Sequence, residues 1–191
     1  IVFGKSRGKH MSHPDHSLTL AFNYMFIVHG FPELWVSWYE QIEYFAKLGH
    51  PILALDMRGY GKSDKPASIG AYHIYECLVK DLNAVIEYTT ANLGGEKKPL
   101  LVAHDWGAAI CWHYAFQKET VDNERIAGYV ALAVPPGKAF EDNMTLKQLW
   151  ASLYMAFFNM PWLPEKLFLY KNALFVGLIM NDVKRGHLPT W

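Results

Sequence analysis

The stretch LLVAHDWG, residues 100–107, decides how this chain folds. An apolar run enters a tight turn between Ala103 and Gly107, and the helix-forming segment 108–115 follows. A strand, a sharp turn and a helix in this order are typical of a nucleophile elbow, where small residues flank the tip because strand and helix almost collide. We therefore expect Asp105, at the tip, to hold a strained backbone conformation that exposes its side chain.

An acidic tip predicts a particular chemistry. A carboxylate attacks carbon that bears a leaving group and forms an ester, which water must cleave in a later step. The alternative, an Asp in an ordinary turn, does not account for the small flanks and the strand–turn–helix context. Asp105 is therefore the predicted nucleophile. A serine esterase is disfavoured because Gly-x-Ser-x-Gly does not occur in the chain.

Two further motifs follow apolar runs in the same way. HGFPE (29–33) follows segment 25–28, and DMRGYGKSD (56–64) follows segment 51–55. With HDWG (104–107), in this order and spacing, they resemble the α/β-hydrolase-fold epoxide hydrolases, from about residue 25 into the last third of the chain. The resemblance implies an α/β fold with a doubly wound, mostly parallel sheet and the beginning of a helical cap.

The resemblance also implies roles for individual residues. The backbone N–H groups of Phe31 and Trp106 would form an oxyanion hole that holds the negative oxygen during ester hydrolysis. A cis peptide bond before Pro32 would aim the first of these N–H groups. In the cap, Tyr154 would donate its phenol proton to the epoxide oxygen as a general acid. The alternative for each aromatic residue is packing, which for Phe31 and Trp106 is compatible with a backbone role.

Four other residues lie in or near the expected pocket. His104 precedes the nucleophile, but adjacent strand side chains point to opposite faces, so a structural hydrogen bond is favoured over a catalytic base. Trp38 is a candidate for contact with substrate, with core packing as the alternative. Asp56 and Arg58 fit a structural loop beside the pocket better than direct catalysis.

Alternation of strands and helices supports the same fold class, because βαβ units give a parallel sheet. Beyond PPG at 135–137 the pattern is helical and aromatic-rich. The predicted domains are a poorly ordered lead-in (1–17), an α/β-hydrolase core (18–137) and the start of a helical cap (138–191). The predicted strands are 18–24, 25–28, 51–55, 100–103 and 126–134. The predicted helices are 35–48, 74–93, 108–115, 146–159 and 163–180.

Composition narrows the function classes. The 191 residues carry 18 basic and 18 acidic side chains, so no nucleic-acid partner or anionic surface is indicated. Hydrophobic residues make up 51% of the chain and aromatic residues 15%, which fits an apolar pocket and a small apolar epoxide as substrate. Two cysteines suggest buried free thiols in a reducing compartment, the cytoplasm or the cytosolic face of an internal membrane. The composition does not predict an oligomeric state.

No cofactor or metal is expected. His10, His13 and His16 recur at three-residue spacing, but the segment lacks supporting ligands. The apolar stretch 149–163 is interrupted by Asn159 and Pro161 and is too short to span a bilayer. Membrane association would therefore require segments outside these 191 residues.

The chain lacks part of what the resemblance requires. An acid and a His should follow the nucleophile and the cap. His113 and His187 are the His residues after Asp105; the first lies along the helix that leaves the elbow, and the second lies in the cap region. Neither fits a water-activating base. We therefore expect a fragment, which would be alkylated once and then stall.

Two other functions remain open. Haloalkane dehalogenases of this fold place Asn where Phe31 stands, and haloacetate dehalogenases carry Arg where Trp106 stands. Both positions favour an epoxide over a halide. The third possibility is a non-catalytic relative that binds apolar ligands or partners, which the missing His keeps open.

Overall fold

The computed structural model describes residues 24–92, 98–122, 124–158, 160 and 162–170. They belong to two compact units, Ile1–Phe140 and Glu141–Trp191. The sequence placed the corresponding boundary after residue 137, and that assignment stays a prediction. The expected lead-in and residues 18–23 of the strand predicted at 18–24 lie outside the described residues, and Tyr24 is the first residue of the first observed strand.

The first unit contains a parallel four-stranded sheet with the strand order β2-β1-β3-β4. Val28 at the end of β1 pairs with Leu55 on one side and with Ala103 on the other, so these three strands end at one level. The loops that follow them emerge at that edge, where parallel α/β sheets bind ligands. The predicted α/β class is confirmed. The strands are β1 (Tyr24–Val28), β2 (Ile52–Leu55), β3 (Pro99–His104) and β4 (Gly128–Leu132).

Helices connect the strands. Two predicted helices begin with a different turn, because a 3-10 turn precedes α1 and a π turn precedes α2. Residue 93, the predicted end of the second of them, lies outside the described residues. The elements are the 3-10 turn Trp35–Trp38, α1 (Tyr39–Lys47), the 3-10 turn Ile69–Tyr72, the π turn Ile74–Leu78, α2 (Val79–Asn92), α3 (Asp105–Ala115), α4 (Lys118–Asp122) and α5 (Gly137–Asp142).

The core lies on both faces of the sheet. All five residues of β1 are buried, which fits its uninterrupted apolar sequence in the middle of a parallel sheet. Phe26 and Leu101 pack on the face that α2 and α3 cover. Ile27 and Val102 pack on the opposite face. The sheet is thereby fixed from two sides, and the loops at its edge start from rigid strand ends.

The described part of the second unit is helical, as the sequence predicted. Thr145 caps α6, because its hydroxyl accepts a hydrogen bond from the Gln148 N–H at 3.1 Å. The predicted helix 146–159 is interrupted at Ser152, and the predicted helix 163–180 is described only to residue 169. Within the described ranges, no helix is long and apolar enough to cross a membrane. The helices are α6 (Leu146–Ala151), α7 (Leu153–Phe158) and α8 (Leu163–Leu169).

Candidate active site

Asp105 lies at the tip of a strained turn. Its φ is +50°, in the left-handed region that a residue with a Cβ rarely adopts. The preceding residue, His104, is extended and ends β3, and α3 begins at Asp105 itself. Such a conformation costs on the order of 1 kcal/mol or more and persists only where the surroundings enforce it. The chain therefore contains the sharp turn that the sequence predicted.

Two glycines allow the backbone to pack against this turn. A Cβ on Gly107 would overlap the His29 carbonyl oxygen and lie 2.8 Å from the Val28 carbonyl oxygen. A Cβ on Gly30 would overlap the Asp105 Cβ and lie 2.9 Å from its Oδ1. Both positions therefore require glycine for lack of space, and the loop after β1 is pressed directly onto the elbow.

This close approach brings a backbone donor to the carboxylate. The Phe31 N–H donates a hydrogen bond to Asp105 Oδ1 at 2.9 Å. The Phe31–Pro32 peptide bond is cis, as the resemblance implied. Trp106 is the second residue of α3, where the backbone N–H groups have no partner within the helix. Trp106 is 45% exposed and Phe31 is 37% exposed, so both residues are accessible to a ligand.

His29 connects the loop after β1 with the loop after β2. The ring is fully buried. Its Nε2 accepts a hydrogen bond from the Met57 N–H at 3.1 Å, and its Nδ1 donates to the Gly30 carbonyl oxygen at 2.8 Å. Burial lowers the pKa of this imidazole below its ordinary value of 6.5. The ring is therefore neutral at physiological pH.

His104 contacts a carboxylate of the loop after β1. Its Nδ1 lies 3.3 Å from Glu33 Oε2, and the same oxygen accepts a hydrogen bond from the Gly30 N–H, also at 3.3 Å. This contact supports the structural interpretation of His104. Glu33 was quoted within the motif but given no role, and the carboxylate three residues after a tight-turn glycine is the signal that could have found it.

The loop after β2 is held by its own side chains. Asp56 Oδ1 accepts a hydrogen bond from the Trp35 N–H at 2.9 Å. Arg58 forms a bidentate ion pair with Asp81 of α2, with N–O distances of 2.6 and 2.7 Å. These contacts agree with the structural role that the sequence favoured for both residues.

Tyr60 of this loop was not singled out from the sequence. Its ring meets the His29 ring edge-on, with 4.7 Å between centroids. Burial, and to a smaller extent the negative charge of Asp105, raises the pKa of Tyr60 to about 12. The phenol is therefore protonated at neutral pH. A tyrosine between two glycines carries no periodic signal that would have identified it.

The two remaining candidates belong to other elements. Trp38 is only 8% exposed and packs with Met25, Ile27 and Val102, which favours core packing over contact with substrate. Tyr154 lies on α7 in the second unit and is 48% exposed. Its assignment stays a prediction.

A cavity of about 500 Å³ lies in the first unit, but Asp105 does not line it. Its walls include Val28, Leu82 and Ile110, with the Arg58–Asp81 ion pair at its polar side. This cavity is therefore separate from the site formed by the Asp105 carboxylate and the Phe31 N–H. In the described part of the chain, no group of three or more His, Cys, Asp or Glu side chains could hold a metal ion.

Comparisons with known proteins agree with this fold. A family model described as alpha/beta hydrolase fold matches residues 23–188. Epoxide hydrolase 3 of Mus musculus is 36% identical over 146 residues, which are 75% of this chain and 36% of that protein. Epoxide hydrolase 2 of Caenorhabditis elegans is 38% identical over 143 residues, which are 74% of this chain and 37% of that protein.

Solved structures give the same result. A crystal structure of Bacillus megaterium epoxide hydrolase with an inhibitor matches with a TM-score of 0.72 and 31% identity, covering 88% of this chain and 56% of that chain. An epoxide hydrolase from Vigna radiata matches with a TM-score of 0.66 and 30% identity, covering 89% of this chain and 55% of that one. The chain thus spans just over a third of these two curated relatives and just over half of the solved structures. The resemblance seen in the motifs is confirmed: the chain belongs to the α/β hydrolase fold family, and the relatives compared here are epoxide hydrolases.

Proposed function

We propose that Asp105 opens an apolar epoxide by nucleophilic attack and becomes esterified. One observation carries the proposal: the carboxylate at the strained elbow already accepts a hydrogen bond from the Phe31 N–H. A nucleophile must be held near its attack geometry before substrate arrives, because orientation contributes several kcal/mol to catalysis. The names of the relatives support an epoxide as the substrate class.

The first half-reaction follows from the arrangement at the carboxylate. Oδ2 attacks a ring carbon while Oδ1 stays bound to the Phe31 N–H. The C–O bond of the three-membered ring breaks, and its electron pair moves to the epoxide oxygen. As the resemblance implies, the Tyr154 phenol gives its proton to this oxygen, so the negative charge ends on a tyrosine phenolate and no free alkoxide forms. The product is a hydroxyalkyl ester of Asp105.

The second half-reaction needs a base that activates water. Both ring nitrogens of His29 are used in bonds to the backbone, and His104 contacts Glu33. To the described residues at the elbow we therefore assign ester formation, and not the activation of water. In hydrolysis by a longer protein, the Phe31 and Trp106 N–H groups would hold the negative charge that develops on Oδ1.

The side chains beside Asp105 support an apolar substrate. Phe31, whose N–H binds the carboxylate, and Trp106, which follows Asp105 in the chain, are both exposed aromatic residues and suit an apolar substrate; neither supplies a charge for a substrate carboxylate. This pattern disfavours haloacids. Haloalkanes remain the second candidate, because the same carboxylate could displace a halide.

The proposal is tested by intact-mass measurement after incubation with styrene oxide. We expect one adduct per chain, mapped to Asp105, and no diol beyond that stoichiometry. Asp105→Asn, which keeps the shape but removes the charge, should prevent the adduct. Tyr154→Phe should slow its formation by about 10²–10⁴-fold if the phenol is the general acid.

Each alternative has its own outcome in this experiment. A correctly folded chain that forms no adduct contradicts the nucleophile and favours a non-catalytic relative. Repeated diol formation contradicts the single alkylation. Release of chloride from 1-chlorobutane, without reaction with styrene oxide, identifies a dehalogenase.

A further inference from the structure

We propose that His29 is a positioning residue that couples two segments: the loop after β2 and the turn that presents the Phe31 N–H to Asp105. It does so as a neutral ring with its proton on Nδ1. This inference rests on the proposed function of Asp105. It assigns a task to a side chain that touches neither substrate nor the reacting atoms.

The coupling runs through one buried ring. Gly30, whose carbonyl oxygen accepts the Nδ1 proton of His29, is the residue directly before Phe31. Met57, whose N–H donates to Nε2, belongs to the loop after β2. A shift of either loop would stretch one of these two bonds. The position of Phe31 is thereby tied to a loop that does not itself contact Asp105 through any described hydrogen bond.

A second hydrogen bond joins the same two loops on the other side of Phe31. The Trp35 N–H donates to Asp56 Oδ1 at 2.9 Å. His29 precedes Phe31 and Trp35 follows it, so the turn is anchored to the loop after β2 on both sides. Such bracketing fixes the N–H direction better than a single anchor, because rotation about one contact is blocked by the other.

The partners determine the tautomer. A backbone N–H can only donate, so Nε2 must present its lone pair to Met57. A carbonyl oxygen can only accept, so Nδ1 must carry the hydrogen toward Gly30. A doubly protonated ring would direct an Nε2–H at the Met57 N–H and break the link between the loops. The device therefore works only in the neutral state.

The surroundings of the ring support that state. Burial is the dominant influence and lowers its pKa, while the Gly30 carbonyl and the carboxylates of Asp56 and Glu33 act in the opposite direction. From the loop after β2, the protonated phenol of Tyr60 packs edge-on against the ring and brings no charge. Charged neighbours thus lie on both loops, and desolvation outweighs them.

Two variants separate the two bonds. Glutamine places its side-chain oxygen near the position of Nε2, so His29→Gln keeps an acceptor for the Met57 N–H and does not titrate. Asparagine places its amide near Nδ1, so His29→Asn keeps the contact with Gly30 but leaves the Met57 N–H unpaired. His29→Gln keeps the link to Met57 but loses the donor to Gly30, so we expect it to react with styrene oxide more slowly than the wild type and faster than His29→Asn. We expect His29→Asn to react on the order of 10² times more slowly, because the carboxylate is no longer oriented.

The pH profile of the alkylation rate distinguishes positioning from simple packing. The wild-type chain should lose activity as the pH falls through the folded-state pKa of His29, which lies below 6.5. His29→Gln should keep its own rate to lower pH than the wild type does. Equal rates for both variants, or an unchanged acid limb in His29→Gln, would overturn the proposal.

A measurement on the wild-type chain covers the case in which the variants do not fold. The ¹⁵N chemical shifts of the His29 ring should report the Nδ1–H tautomer at pH 8. On acidification, the Met57 and Phe31 amides should lose protection from hydrogen exchange together with ring protonation. An Nε2–H tautomer, or loss of protection at Met57 alone, contradicts the coupling. Because this readout needs no reaction, it stands apart from a failure of Asp105 to become alkylated.

Discussion

Replacement of Gly30 by alanine should disturb the elbow more than any change of similar size on the surface. A Cβ at this position would overlap the Asp105 Cβ and lie 3.0 Å from the His104 carbonyl oxygen. Neither neighbour is the end of a flexible side chain, so the backbone itself must move. Carbon atoms in contact prefer a separation of about 3.5–4.0 Å, which requires a displacement of about 1 Å.

Two effects of this displacement can be estimated. Inserting a methyl group into a packed site destabilises a protein by about 1–3 kcal/mol. A shift of about 1 Å would also lengthen the Phe31 N–H bond to Asp105 Oδ1 beyond hydrogen-bonding distance. Misplacement of a reacting group by about 1 Å lowers rates on the order of 10²-fold. Gly30→Ala should therefore lose both stability and alkylation by styrene oxide.

The assay combines urea unfolding with the rate of adduct formation. Gly137→Ala is the matched control, because an added Cβ meets nothing within 4 Å there and φ is not positive. We expect this control to stay within about 0.5 kcal/mol of the wild type, as for ordinary surface substitutions. If Gly30→Ala forms the adduct at the wild-type rate, the close packing of the loop onto the elbow does not orient the carboxylate.

Three more predictions concern the same region. Gly107→Ala should destabilise the fold by at least about 1–3 kcal/mol in urea unfolding, because the new Cβ would overlap the carbonyl oxygen of His29; an unchanged midpoint would contradict the crowding. Arg58→Met should lower the free energy of unfolding by less than about 1 kcal/mol, because the Asp81 side chain is 41% exposed and solvent screens its ion pair with Arg58. A larger loss in urea unfolding would contradict this screening. The pKa of His29 is lowered from 6.5 in the folded chain, so on acidification the unfolded chain binds more protons than the folded chain. The contribution of His29 to the free energy of unfolding should therefore be complete above about pH 6.5 and be lost as the pH falls through the folded-state pKa. A free energy of unfolding that stays flat between pH 8 and 5 would contradict burial of a neutral ring.

The sequence predicted those parts of the fold that depend on local pattern. The apolar runs before HGFPE, DMRGYGKSD and HDWG became β1, β2 and β3, because buried parallel strands are uninterrupted apolar segments. The sharp turn at Asp105 was predictable because small flanking residues are a steric requirement. The described part of the second unit was predictable as helical because its sequence lacks the alternation of apolar and polar residues that is typical of strands.

Other features depend on contacts that sequence spacing does not contain. The interruption at Ser152 falls inside a helical pattern that gave no sign of a break. Helix α4 was missed because KETVD is too short to show a periodic apolar face. The contacts of His29, Glu33 and Tyr60 join residues from separate loops, so they could be identified only after the strands were placed side by side.

The bond from the Phe31 N–H to the elbow carboxylate makes its two oxygen atoms inequivalent before any ligand arrives. In the proposed reaction, Oδ1 would be first a carboxylate oxygen, then the ester carbonyl oxygen and then the anionic oxygen of the tetrahedral adduct. The Phe31 N–H would donate a hydrogen bond to it in all three states. Oδ2 would carry the incoming carbon throughout. A single backbone N–H would thus determine which of the two chemically identical oxygen atoms becomes the ester oxygen and which becomes the carbonyl oxygen.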